Sequence, residues 1–211
     1  MTPTPSARQL ATIKAIAFAA ALLPLARLLG FAIADRLGAN PIEFITRNTG
    51  DWTLYFLCIT LAVTPLRRFL NWNWLIRLRR MLGLFAFFYA ALHFTTFLWF
   101  DHFFDLGEMW KDVVKRPFIT VGFTAFLLLI PLALTSTNAM VRRLGSKRWQ
   151  KLHRTVYLIG SLAIIHFWWM KSGKNDFAQP ILFGTIMLFL LGVRVMWHVG
   201  QIRTRIQPLK S

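Results

Sequence analysis

The sequence predicts an all-α polytopic membrane protein, six spanning helices packed as one helical bundle, on three observations. The chain of 211 residues is 56% hydrophobic, with 20 Phe and 9 Trp, which is too apolar for an ordinary soluble domain. Its net charge of +17 is too high for an uncharged lipid plug, so the charge must be segregated. And it is: residues 15–26, 52–66, 81–100, 117–141, 155–170 and 177–193 contain no Asp, Glu, Lys or Arg. A spanning helix needs about 20 largely apolar residues, so the third and fourth runs suffice unaided and the others reach that length with polar flanks and snorkelling ends.

The first run lies in an apolar stretch that extends beyond Leu29, longer than the roughly 7–15 residues of a signal-peptide core, and is read as a retained anchor. The segments between runs then alternate in charge. With the N-terminus cytoplasmic, the inner segments hold Arg8 and Lys14, the cluster Arg67 to Arg80, the cluster Arg142 to Arg154, and Arg194, Arg203, Arg205 and Lys210. The outer segments hold all eight acidic residues and fewer bases, so the positive-inside rule puts both termini in the cytoplasm. Such juxtamembrane bases fit anionic lipid and topology, which excludes nucleic acid as the partner they serve. The single cysteine, Cys58, lies mid-span and cannot form an intramolecular disulfide. With no repeat and no long linker, residues 1–211 read as one domain.

Histidine carries the chemistry. His93 lies within the third run and His166 within the fifth. At 1.5 Å per residue they stand about 18 Å and about 17 Å from the cytoplasmic ends of two spans that both run outward. A lone membrane histidine is usually a hydrogen-bonded core residue, but a depth-matched pair on separate helices suits the two axial positions of a haem b iron. Phe94, Phe97, Phe167 and Trp168 are candidates for an aromatic wall. His102 is read as a loop residue.

His153 lies 13 residues before His166, about 20 Å along a helix, at a depth suited to an inner redox site. Thirteen residues leave the two side chains some 140° apart in azimuth unless the helix bends, and Gly160-Ser161 is a plausible bend. A second haem needs a partner for His153; Arg80 cannot ligate iron, and His198 has suitable depth. One haem or two, with His153 serving a second haem, a flavin or a quinone, are all open at this point. Arg77, Arg79, Arg80, Arg148 and Lys151 flank the inner span ends, where they meet lipid or an anionic group such as a haem propionate or an FMN phosphate. Arg27 either snorkels to the headgroups or contacts a propionate. A transporter is the competing class, but its expected midplane charge pair or broken helices are missing; Pro24 and Pro131 are the prolines well inside a run. A structural anchor would not need matched histidines.

Several motifs together resemble the MsrQ (YedZ) family: Arg79-Arg80-Met81-Leu82-Gly83-Leu84 leading to Leu92-His93; Thr135-Ser136-Thr137-Asn138 with Leu144-Gly145; Lys147-Arg148-Trp149-Gln150 with Leu152-His153 and Tyr157; and Ile165-His166-Phe167. Thr64-Pro65-Leu66 and Arg116-Pro117 also fit. The similarity is best over about 40–170, with a ferric-reductase-like core at about 45–170, and extends more distantly to the transmembrane domain of ferric reductases and NADPH oxidases. The resemblance implies a haem-binding subunit in the inner membrane of a Gram-negative bacterium, with His93, His153 and His166 as haem-iron histidines. It also implies FMN, electrons from the quinone pool or a cytoplasmic flavin reductase, and delivery to a periplasmic MsrP-type molybdenum-cofactor enzyme that reduces methionine sulfoxide. On that reading the chain is an electron-transfer subunit and does not act on the sulfoxide itself. A stand-alone ferric-reductase-like cytochrome b is the alternative.

Only 13 residues follow His198, and no Gly-rich dinucleotide fingerprint follows a predicted strand, so electrons are expected from a membrane carrier or a separate protein rather than from NADPH directly. The outer segments 35–51 and 101–116, with Met109 and Trp110, are the expected docking face for a terminal reductase.

Overall fold

The computed structural model describes residues 4–206, with side chains to residue 200; Lys210 of the basic tail lies outside them, as do the side chains of Arg203 and Arg205. Among the described residues the protein is helical and contains no strand. The helices are α1 (Ala7–Ile33), α2 (Pro41–Phe69), α3 (Arg79–Thr96), α4 (Leu106–Lys115), α5 (Pro117–Leu134), α6 (Asn138–Leu144), α7 (Ser146–His153), α8 (Val156–Ser172) and α9 (Ala178–Ile206). Four stretches are long and apolar enough to cross a membrane by length and composition: α1, Arg79–Asp101, α5 and Ala178–Gly200. Of the six expected spans, α2 and α8 are the two outside that set. α2 carries Glu43, Arg47 and Asp51 in its first three turns, and α8 is 17 residues long.

Local chemistry sets the helix boundaries. Ser6 and Gln9 form a reciprocal capping box at α1, Asn40 accepts from the Glu43 N–H at α2, and Thr137 accepts from the Met140 N–H at α6. Pro41 and Pro117 occupy first-turn positions, where a missing N–H costs nothing. α2 has Glu43 at its start and Arg67 and Arg68 at its end, matching the helix dipole.

Two boundaries differ from the sequence reading. The fourth apolar run, 117–141, is not one helix: α5 stops at Leu134, where the hydroxyls of Thr135 and Ser136 bond back to Pro131 and Leu132 and Thr137 caps a new helix. Likewise the expected bend at Gly160-Ser161 is not where the chain breaks. α7 ends at His153, α8 begins at Val156, and the hydroxyl of Thr155 bonds the Leu152 carbonyl in the turn between them. Gly160 instead makes room for Met187 of α9.

α2 packs on α3 and α5 on α8; α3 against α5 joins the two pairs, and α9 covers α2 and α8. In lipid, where tails are as apolar as leucine, close van der Waals packing over small residues holds helices together. Ala86, Ala90 and Ala125 are buried at these interfaces, and Leu61 and Ile159 are fully enclosed at the centre.

Candidate functional site

His93, one turn from the end of α3, and His166, in the second half of α8, face each other with ring centroids 6.3 Å apart and planes inclined by 68°. Each ring is held by a carbonyl on a neighbouring helix. Nδ1 of His93 lies 2.9 Å from the Thr46 oxygen of α2, and Nδ1 of His166 lies 2.7 Å from the Phe118 oxygen of α5. A carbonyl only accepts, so Nδ1 is the protonated nitrogen in both rings and Nε2 presents its lone pair. This is the outer-sphere arrangement of metal-bound histidine, in which the second nitrogen donates to a carbonyl and fixes the tautomer. Metal–imidazole bonds of about 2.0 Å, with each centroid roughly 1.1 Å behind its nitrogen, separate two rings on opposite sides of one metal by roughly 6 Å.

Both rings line a cavity of about 480 Å³ walled by Phe94, Phe97, Phe126, Leu129, Ile159 and Phe167. Trp168, expected in this wall, is instead exposed and stacks on Phe177. The polar lining is concentrated at the end nearest the start of α2: Glu43, Arg47, Asp51, Asp101 and Arg116. Most of these charges are paired there. Glu43 holds both Arg47 and Lys174, Arg116 bonds Asp112 at 2.8 Å, and the buried Lys171 bonds Asp176 at 2.8 Å. The Lys171 ammonium, through its hydrogen bond first and its charge second, holds the Asp176 carboxyl below the usual range.

His153 is held differently. Its Nε2 lies 3.1 Å from the hydroxyl of Thr135, and that hydroxyl already donates to the Pro131 carbonyl at 2.6 Å. The imidazole is therefore the donor, through Nε2–H, and Nδ1 is its acceptor nitrogen. Trp149 stacks on the ring at 3.9 Å and donates its indole N–H to the Thr135 carbonyl at 2.9 Å. Burial, then the charges of Arg79 and Arg80, hold His153 down to about 4.

A second cavity, about 510 Å³, opens here, lined among others by Thr60, Arg79, Arg80, His153, Arg154 and Tyr157. Two of the four expected arginines thus reach its wall, with Arg80 also bonding Asn138. Arg77 and Arg148 are exposed and stand outside the wall, as does His198. Arg27 is exposed and lies over Phe31 at 4.9 Å, away from both cavities.

Sequence reasoning missed the partners of the two facing histidines, Thr46 and Phe118, because they act through backbone atoms. It also missed Gly50 and Gly122, which lie against the two rings. Their one signal was being glycines inside helices, where alanine is the more favourable residue. Between α3 and α5, α4 replaces the expected loop: Asp105 caps it, Met109 and Val113 are buried, and only Trp110 of the expected docking pair is exposed.

A helical bundle with a facing histidine pair in an apolar cavity falls in the class of ferric-reductase-like transmembrane components, and the family model described as "Ferric reductase like transmembrane component" matches residues 49–164. More narrowly, the chain belongs to the MsrQ family. Proteins named "Protein-methionine-sulfoxide reductase heme-binding subunit MsrQ" match it at 75% identity in Herminiimonas arsenicoxydans, over 93% of this chain and 90% of that one. The protein of that name from Ralstonia nicotianae is 57% identical over 90% and 88%. The one from Rhodospirillum rubrum is 48% identical over 90% and 91%. No solved structure matches the chain.

Proposed function

We propose that this protein is the haem-binding membrane subunit that carries electrons to a periplasmic MsrP-type molybdenum-cofactor reductase, which returns methionine sulfoxide in oxidised proteins to methionine. The observation that carries the reading is the His93–His166 pair: two imidazoles of fixed tautomer, separated as one metal between them requires, in an apolar cavity. His93 and His166 would hold the iron of a haem, and the phenylalanine-rich wall would pack against its apolar surface. A haem b held there supplies a one-electron relay. Thr46 and Phe118 keep Nε2 of each ring available, and the paired charges at the cavity mouth face the side from which a partner would approach.

The remaining assignments belong to the same reading. α1, α2, α3, α5, α8 and α9 make six crossings of the inner membrane, with both termini cytoplasmic and the whole chain as one domain. The second cavity, with His153, Arg79 and Arg80, takes the electron-donating side. Its cationic wall suits an anionic group, either the phosphate of FMN or the propionates of a second haem, and its position at the inner end suits a quinone or a cytoplasmic flavin reductase as source. The exposed Arg77 and Arg148 are assigned to lipid contact and topology.

The test is reoxidation. Membranes containing the chain are reduced, and purified MsrP-type enzyme and methionine sulfoxide are added together. Haem that reoxidises only when both are present supports the reading; haem that stays reduced beside an active partner overturns it and favours a stand-alone ferric-reductase-like cytochrome, tested next with ferric chelates.

A further inference from the structure

We propose that Gly50 and Gly122 are a matched pair of positioning residues, two notches that seat the ligand imidazoles against their carbonyl partners and so set how strongly each ring donates to the iron. The proposal rests on the haem assignment above. The two histidines come from different helices and bond different neighbours, yet the local construction is the same. His93 donates to the carbonyl of residue 46 and lies against Gly50; His166 donates to the carbonyl of residue 118 and lies against Gly122. In each case the glycine is four residues beyond the accepting carbonyl.

That spacing has a cause. In an α-helix the carbonyl of residue i points at the N–H of residue i+4, so a ring that reaches this carbonyl from outside must lie over the turn where the side chain at i+4 stands. A Cβ added at Gly50 would stand 3.1 Å from Cε1 and 3.2 Å from Nδ1 of His93. One added at Gly122 would stand 2.7 Å from Nδ1 and 2.8 Å from Cε1 of His166, inside contact distance. Neither glycine has the positive φ that would demand the residue for its backbone. Glycine within a helix is less favourable than alanine, so the space against the ring is what the two positions provide.

The consequence is electronic. An Nδ1–H bonded to a carbonyl makes Nε2 a better donor, which favours ferric over ferrous iron and lowers the midpoint potential. A methyl group at either notch pushes the ring off its carbonyl and turns its plane. An iron bonded at Nε2 would limit how far the ring could retreat. The inclination between the two rings, 68° here, controls the g-anisotropy of a low-spin ferric haem, which makes the displacement visible without any turnover.

The experiment compares the purified protein with G50A, G122A, H93A and G184A, measuring haem per chain, the ferric electron paramagnetic resonance spectrum and the midpoint potential. Gly184 is the control, because a Cβ there meets only Ile164 Cγ2 at the ordinary distance of 3.7 Å. Expected are altered g-values and a positive shift in potential in G50A, a larger change or haem loss in G122A, and wild-type behaviour in G184A. Should G122A fail to accumulate, G50A, with its milder contact, decides. Wild-type spectra and potential in G50A, while H93A loses its low-spin haem, overturn the notches and leave the haem assignment standing. An H93A protein with its full low-spin signal overturns both.

Discussion

The phenol of Tyr89, on α3 and almost fully enclosed, donates to the carbonyl of Ala21 on α1 at 2.8 Å. The same oxygen accepts from the Leu25 N–H at 3.2 Å, so one side chain bonds both members of an i, i+4 pair in α1, next to Pro24. This ties the first helix to the haem-proposed bundle at a defined depth. Tyr89→Phe keeps the ring packing against Phe56 and Phe88 and removes only the hydroxyl. The expected cost is about 1 kcal/mol, the net value of a typical protein hydrogen bond. Unfolding in mild detergent reads it, and an unchanged midpoint would mean that α1 docks without this bond.

Replacing His93 or His166 with alanine removes one of the two proposed axial nitrogens. Each variant should lose most of its low-spin haem absorption in membranes while the chain still inserts. Equal loss from either side is the signature of a shared iron. Full low-spin haem in both variants would separate the facing pair from the cofactor.

The pairing of His93 with His166 was legible in the sequence because helix rise is constant: equal distances along two outward-running apolar runs put both at one depth. Which backbone carbonyls receive them was not legible, since every residue offers the same carbonyl and only tertiary packing selects Thr46 and Phe118. α4 was hidden by its charges, although Asp105, Met109, Trp110 and Val113 spell a cap followed by helical spacing. Trp168 failed as a wall residue for the opposite reason: adjacent to Phe167 on α8, it points some 100° away and meets Phe177 instead. Between His153 and His166 the sequence offered one place for a bend, Gly160-Ser161, and it did not mark the break that Arg154 and Thr155 make.

Asp105 accepts from the Glu108 and Gly107 N–H groups, which hold its carboxyl below the usual range. A depressed carboxylate favours the capped helix above its unfolded pKa, and that contribution is lost as pH falls through the folded value. Asp105→Ala at neutral pH should therefore loosen the first turn of α4, as acidification below about pH 4 does in the wild type. Amide hydrogen exchange at residues 107–109 checks it. Protection that is unchanged in the variant would assign the stability of α4 to the burial of Met109 and Val113 instead.

His153 makes the second cavity sensitive to acid in a predictable window. Burial first, and Arg79 and Arg80 next, lower its folded value from 6.5 to about 4, so the folded protein resists the proton that the unfolded chain accepts. The linked stability is present in full above pH 6.5, declines below it, and is lost as pH falls through about 4. Wild-type protein should therefore lose thermal stability between pH 6.5 and 4 by more than His153→Gln does, since the variant has no proton to exclude. Arg79→Gln with Arg80→Gln relieves the repulsive part, letting the folded value rise and shrinking the decline, while burial keeps some of it. Because the imidazole stays neutral from pH 8 to about 5, His153 itself adds no pH dependence to ligand occupancy over that range. Identical pH–stability curves for wild type and His153→Gln would show that the ring is freely protonated in the fold.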